Sequence, residues 1–180
     1  MKICIALFRG INVGGKNALP MKELVSALGD LGARNVKTYI QSGNAVFISP
    51  EKDNKRLSAK ISSEIDKRRG FKPHVLLLEL EDLERAMRNN PFPEAVTDPK
   101  ALHAGFLASA PENPNLKALE GLKSDSERFQ LIGKVFYLHA PEGIGRSKLA
   151  ANVERLLGAP MTDRNWRTVS KIWEMAQALR

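Results

Sequence analysis

Val36-Lys-Thr-Tyr-Ile-Gln-Ser-Gly-Asn-Ala-Val-Phe-Ile48 holds a chain reversal between two strand-like runs. Two short runs rich in strand formers, Val36–Ile40 and Ala45–Ile48, are separated only by Gln41-Ser42-Gly43-Asn44. Glycine and asparagine tolerate the positive φ that a tight reversal needs, so the stretch reads as an antiparallel hairpin. Upstream, Lys2–Phe8 is an apolar run rich in strand formers that ends at Arg9-Gly10. Pro20 then opens a helix, with Met21, Leu24, Leu28 and Leu31 at helical spacing and Gly32 at its end. Downstream, Leu57, Ile61 and Ile65 recur every fourth residue along a basic helix that Gly70 stops. Pro73–Leu80 follows as a strand, and the unbroken apolar run Val75–Leu78 predicts burial on both faces. The order is β-α-β-β-α-β, the split βαβ pattern of the ferredoxin-like fold.

After a short helix, Glu81–Asn90, and the Pro91-Phe92-Pro93 break, the plan nearly repeats. Leu102–Ala108 reads as a strand, Asn113–Leu122 holds a short helix, and Phe129–Ile132 and Val135–His139 flank Gly133 as a hairpin. Ser147–Leu157 reads as a helix capped by Ser147 and stopped by Gly158. No final strand is legible; a last helix, capped by Thr162 or Asp163, takes its place, with Trp166, Val169, Ile172, Trp173, Ala176 and Leu179 on one core-facing stripe. The expectation is an α+β protein of two ferredoxin-like (βαββαβ) subdomains, the second incomplete or element-swapped, with antiparallel sheets carrying helices on one face. Residues 1–80 form the first subdomain and 81–180 the second, with two C-terminal helices.

Composition sets the class of chemistry. At 43% hydrophobic and 27% charged residues the chain is a globular protein, not a disordered one. Its single cysteine, Cys4, forms no internal disulfide and suits a reducing compartment, and the opening apolar run is too short for a signal peptide or a membrane span. A cytoplasmic protein with no membrane partner is expected. His74, His103 and His139 read as ordinary sheet residues, and no Cys/His spacing implies a metal or any cofactor. Of the net charge of +8, residues 1–90 carry 16 basic and 10 acidic residues, an excess of +6. Such an excess attracts phosphates, making a nucleotide or a nucleic acid the expected partner.

Three segments are candidates for binding. Gly10-Ile-Asn-Val-Gly-Gly15-Lys16-Asn17 almost spells a nucleotide P-loop, but Asn17 replaces the hydroxyl residue and Pro20 delays the helix. The β-α-β-β order also denies it the parallel sheet of that fold. Arg9, Gly10, Asn12, Gly14, Gly15 and Lys16 nevertheless suit an anion. In a ferredoxin-like topology this loop lies at the same end of the sheet as Gln41, Ser42 and Asn44, so the two form one candidate pocket. The same residue types also simply solve tight turns. The second segment is Gly143-Ile-Gly-Arg146-Ser147-Lys148, a glycine-rich approach to a helix N-terminus. The third is Arg164-Asn165-Trp166-Arg167, from which Asn165 and Arg167 are candidate ligand contacts. No Ser-His-Asp or Cys-His arrangement identifies a catalytic residue, and neither oligomeric state nor activity is legible.

Five blocks then resemble the bacterial domain-of-unknown-function 1697 family. They are Ala6–Met21, Tyr39–Phe47, Asn90–Pro93, Gly143–Leu149 and Arg164–Val169. The resemblance covers essentially the whole chain and implies two ferredoxin-like subdomains, with or without elements swapped between them, and no established activity. Phe8 and Ala45 stand where leucine and valine are usual in those blocks, and neither change touches a polar candidate. Three functions follow as expectations: a binding module for a phosphate-bearing ligand, an enzyme acting on a small anionic metabolite, or a protein-interaction module using Pro91-Phe92-Pro93.

Overall fold

The computed structural model describes all residues, 1–180. The chain divides into two compact units, Met1–Arg85 with Ser170–Arg180, and Ala86–Val169. The division falls at 85/86, and the last eleven residues, Ser170–Arg180, belong to the first unit, although the sequence reading grouped them with 81–180.

Unit 1 is built from β1 (Lys2–Arg9), α1 (Met21–Asp30), β2 (Arg34–Tyr39), β3 (Asn44–Ser49), α2 (Asn54–Arg69) and β4 (His74–Glu79). The strands lie in the order β2-β3-β1-β4, all antiparallel, which is the ferredoxin-like arrangement. Period-two alternation sends Cys4, Ala6 and Phe8 of β1 to the face covered by α1 and α2. There they pack with Phe47, Leu77, Leu24, Leu28, Leu57, Ile61 and Ile65. Ile5, Leu7 and Val46 on the opposite face are buried as well, and Val75–Leu78 is buried throughout. Asp53 caps α2 by accepting from the Lys55 and Arg56 amides, and Gly70 ends it at φ 77°. Cys4 is fully buried in the central strand, and burial pushes its thiol up to about 11.

After α3 (Leu80–Arg88), unit 2 contains β5 (Leu102–Leu107), α4 (Leu116–Leu122), β6 (Arg128–Ile132), β7 (Val135–His139), α5 (Lys148–Leu157) and β8 (Met161–Asn165). Its sheet order, β6-β7-β5-β8, repeats that of unit 1. The missing final strand is therefore present: β8 pairs antiparallel with β5, from His103↔Asn165 to Leu107↔Met161. Its sequence, MTDRN, hides it, because an edge strand needs no apolar alternation on both sides. A correction at the last helix, α6 (Trp166–Gln177), follows from this. Thr162 and Asp163 lie within β8, and the cap is Asn165, whose Oδ1 accepts from the Thr168 amide at 3.0 Å. The core of unit 2 joins Phe136 and Leu138 to Leu119, Leu149, Val153 and Leu157, with the Phe129 and Phe136 rings stacked 5.4 Å apart. Tyr137 faces away from this core and its hydroxyl donates to the Ala86 carbonyl at 2.6 Å, burial raising its pKa to about 12.

In unit 1 the chain's last turns are tied to α3. Gln177 Nε2 donates to Glu84 at 2.6 Å, and Arg180 pairs with the same carboxylate at 3.1 Å. α6 begins in unit 2 and ends in unit 1.

Candidate functional site: a laced pair of loops at one end of the first sheet

The connection after β1 and the β2–β3 hairpin meet at one end of the sheet. Phe8 N donates to Gly43 O at 2.8 Å, and Asn12 Nδ2 donates to Gln41 O at 2.8 Å. The Asn12 side chain also closes its own loop, accepting from Leu19 N at 2.7 Å and donating to Leu19 O at 3.0 Å. Asn17 Nδ2 donates to Gly10 O at 2.9 Å, while Asn17 O accepts from Asn12 N at 3.1 Å. Asn17, the residue that departs from the P-loop pattern, is thus a clasp between the ends of the loop.

The tip is a two-residue turn. Lys16 N donates to Val13 O at 3.0 Å, and both central residues have positive φ, Gly14 at 58° and Gly15 at 73°. That is the signature of a type I′ turn, for which two glycines carry no steric cost. Gly10, Gly14 and Gly15 face open space: a methyl built on any of them meets nothing within 4 Å. Gly43 is different. At φ 88° a methyl there would lie 2.6 Å from both Phe8 Cβ and Ile11 Cδ1, so the absence of a side chain is what lets the two loops close.

The predicted site residues therefore sort by what holds them. Asn12 and Asn44 are spent on the loops themselves, Asn44 being buried and donating to Tyr39 O at 3.0 Å and Ser42 Oγ at 3.1 Å. Arg9, Gly10, Gly14, Gly15, Lys16, Gln41 and Ser42 are exposed. Exposed Arg69, Lys72 and His74 lie at the same end, His74 as the strand partner of Arg9. Arg69 Nε reaches the Ala18 carbonyl at 2.9 Å. The reading missed two residues. Val13 is 66% exposed at the tip, and Ile40, at φ 49°, is 50% exposed in the hairpin. The other non-glycine residues with positive φ are all asparagines, Asn12, Asn17 and Asn35. A β-branched residue in this region is strained by about 1–2 kcal/mol. Apolar residues inside turn segments were the signal in the sequence.

In unit 2 the candidate segments are held within their own unit. Ser147 Oγ accepts from Ala150 N at 3.0 Å and is consumed as the cap of α5, with Arg146 and Lys148 exposed beside it. Asn165 is consumed in capping α6, and Arg167 is exposed. Arg164 donates to the Asp163 carbonyl at 2.8 Å, and burial lowers its guanidinium to about 10. His103 is closed to ligands: Nδ1 lies 2.7 Å from Asp163 Oδ2 and Nε2 3.1 Å from Lys100 O. Phe92 is only 8% exposed and lies 4.6 Å beneath the Arg128 guanidinium, which also pairs with Glu94. That burial removes the surface on which a Pro91-Phe92-Pro93 interaction site would depend.

The family model "Protein of unknown function (DUF1697)" matches residues 1–137, and the chain belongs to that family. Among solved structures it is similar to the conserved bacterial protein SP0830 from Streptococcus pneumoniae, at 30% identity and a TM-score of 0.71, over 97% of this chain and 98% of that one. No curated protein matches. No helix is long and apolar enough to cross a membrane.

Proposed function

We propose that the protein is an intracellular binding module for phosphate-bearing ligands, and that the laced loops of unit 1 are its contact surface. The observation that carries this reading is the Asn12–Gln41 hydrogen bond, which ties the connection bearing exposed Arg9 and Lys16 to the hairpin bearing exposed Gln41 and Ser42. Arg69 and Lys72 lie at the same end, each paired with a carboxylate, Glu23 at 3.2 Å and Asp66 at 3.9 Å. The loop offers its charges on a projecting turn, and the amides of Asn12 and Lys16 are already bonded within it. Such a tip suits a phosphate backbone contacted from outside, hence a nucleic acid rather than an enclosed mononucleotide. The open-face mode, in which a four-stranded sheet stacks bases on its strands, is closed in unit 1 because Ile5, Leu7 and Val46 are buried. The single cysteine, buried and of raised pKa, fits a reducing compartment.

The test is a salt titration of binding to a labelled oligonucleotide. Removing two phosphate contacts with Arg9→Ala and Lys16→Ala should reduce the slope of log K against log salt by about 1.4 for a single strand. Arg146→Ala with Lys148→Ala in unit 2 should leave it unchanged. An unchanged slope in the first variant overturns the reading.

A further inference from the structure

Two apolar side chains are exposed on the laced loops, Val13 at the tip of one and Ile40 in the hairpin. Val13 is 66% exposed and Ile40 50% exposed, and their neighbours Asn12 and Gln41 are joined by a hydrogen bond, so both lie on the same laced pair of loops. Ile40 holds its place with a backbone conformation that asparagine or glycine would adopt without strain. A polar residue would likewise serve at the first position of the Val13 turn. The fold thus displays apolar surface where its own physics favours polar residues, on the loop pair that also carries Arg9 and Lys16.

A ligand matched to that combination has phosphates for the cations and accessible apolar faces for the aliphatic groups. Building on the reading above, we infer that the ligand is a single-stranded nucleic acid, whose backbone runs past Arg9 and Lys16 while exposed bases pack on Val13 and Ile40. A duplex fits less well. Its base faces are already stacked, and reaching them requires paying for unstacking. Every unpaired base has a free face, so the contact is indifferent to sequence. An anionic membrane also combines phosphate with apolar material, but interfacial binding draws on an extended apolar face, not two short side chains.

The experiment compares Val13→Ser/Ile40→Asn with the parent chain by fluorescence anisotropy. The probes are a labelled single-stranded oligonucleotide, its duplex, heparin, and phosphatidylserine-containing vesicles, the last read by co-sedimentation. Asparagine is chosen at position 40 because it accepts positive φ, so a thermal melt at or above that of the parent shows that the loops are intact. The expected result is a loss of about tenfold for the single strand, with the salt slope and heparin binding unchanged. Parent-like affinity of the double variant for the single strand overturns this inference while leaving the phosphate reading standing. Tighter binding to the duplex, or vesicle binding that depends on Val13 and Ile40, also overturns it. Failure of the parent chain to bind either heparin or oligonucleotide overturns both.

Discussion

The two units share a strand order but differ at one end of their sheets. In unit 2 the connection from β5 to α4 runs through Ala108–Asn115 without a basic residue, and the β6–β7 hairpin turns on Gly133 and Lys134 alone. In unit 1 the equivalent connection is the glycine-rich Gly10–Pro20 and the hairpin is Ile40–Gly43. One bond is common to both: Leu107 N donates to Lys134 O at 2.9 Å as Phe8 N does to Gly43 O at 2.8 Å. The topology therefore needs the hairpin to close on the first strand and nothing more. The lacing by Asn12, the clasp of Asn17 and the projecting tip of unit 1 are additions that the fold does not require.

The largest effect should come from the point where the loops close. Gly43→Ala combines an unfavourable φ with a contact against backbone-anchored Phe8 Cβ, and should cost about 4 kcal/mol by denaturant unfolding. Gly133→Ala at the matching hairpin, φ 58° with open space, should cost only about 1 kcal/mol. Equal losses would show that the two hairpins close alike. Asn12→Ala removes three hydrogen bonds and should cost about 2 kcal/mol, against about 1 kcal/mol for Asn115→Ala, which only uncaps α4. Within unit 2, Tyr137→Phe leaves the Ala86 carbonyl without its donor and should cost about 1.5 kcal/mol. Ile40→Asn has the opposite sign: relief of the strained conformation should stabilise unit 1 by about 1 kcal/mol, read as a higher melting temperature.

The smallest effect is a pH dependence confined to unit 2. Burial and the nearby Arg128 guanidinium, which approaches His139 Nδ1 to 3.0 Å, hold the His139 pKa below the usual histidine range. The unfolded chain then binds the proton more tightly than the folded one. Stability should rise with pH up to about 6.5 and flatten above, and Arg128→Ala should weaken that slope in pH-dependent melts.

Much of the fold was legible because unit 1 writes its elements in clear periods, from Leu57, Ile61 and Ile65 on α2 to the unbroken Val75–Leu78 of β4. β8 was not legible: Thr162, Asp163, Arg164 and Asn165 carry no strand pattern, and only pairing with β5 makes them one. At the site, the meeting of the two loops followed from topology. What sequence could not supply was the use of each amide. Asn12, Asn17 and Asn44 have the chemistry to hold a ligand, and the backbone nearby takes it up instead. Val13 and Ile40 escaped notice because turn residues are read for φ and polarity, and exposure is visible only in three dimensions.

Cys4 gives the chain a built-in stopwatch. It sits in β1, between β3 and β4, with a thiol fully shielded and protonated at neutral pH. Alkylating reagents can reach it only after the central strand of unit 1 has come out of its sheet. The rate of Cys4 modification in native buffer therefore clocks the opening of unit 1. A cysteine placed at Val13 would label many orders of magnitude sooner, marking the loop tip while that clock still runs.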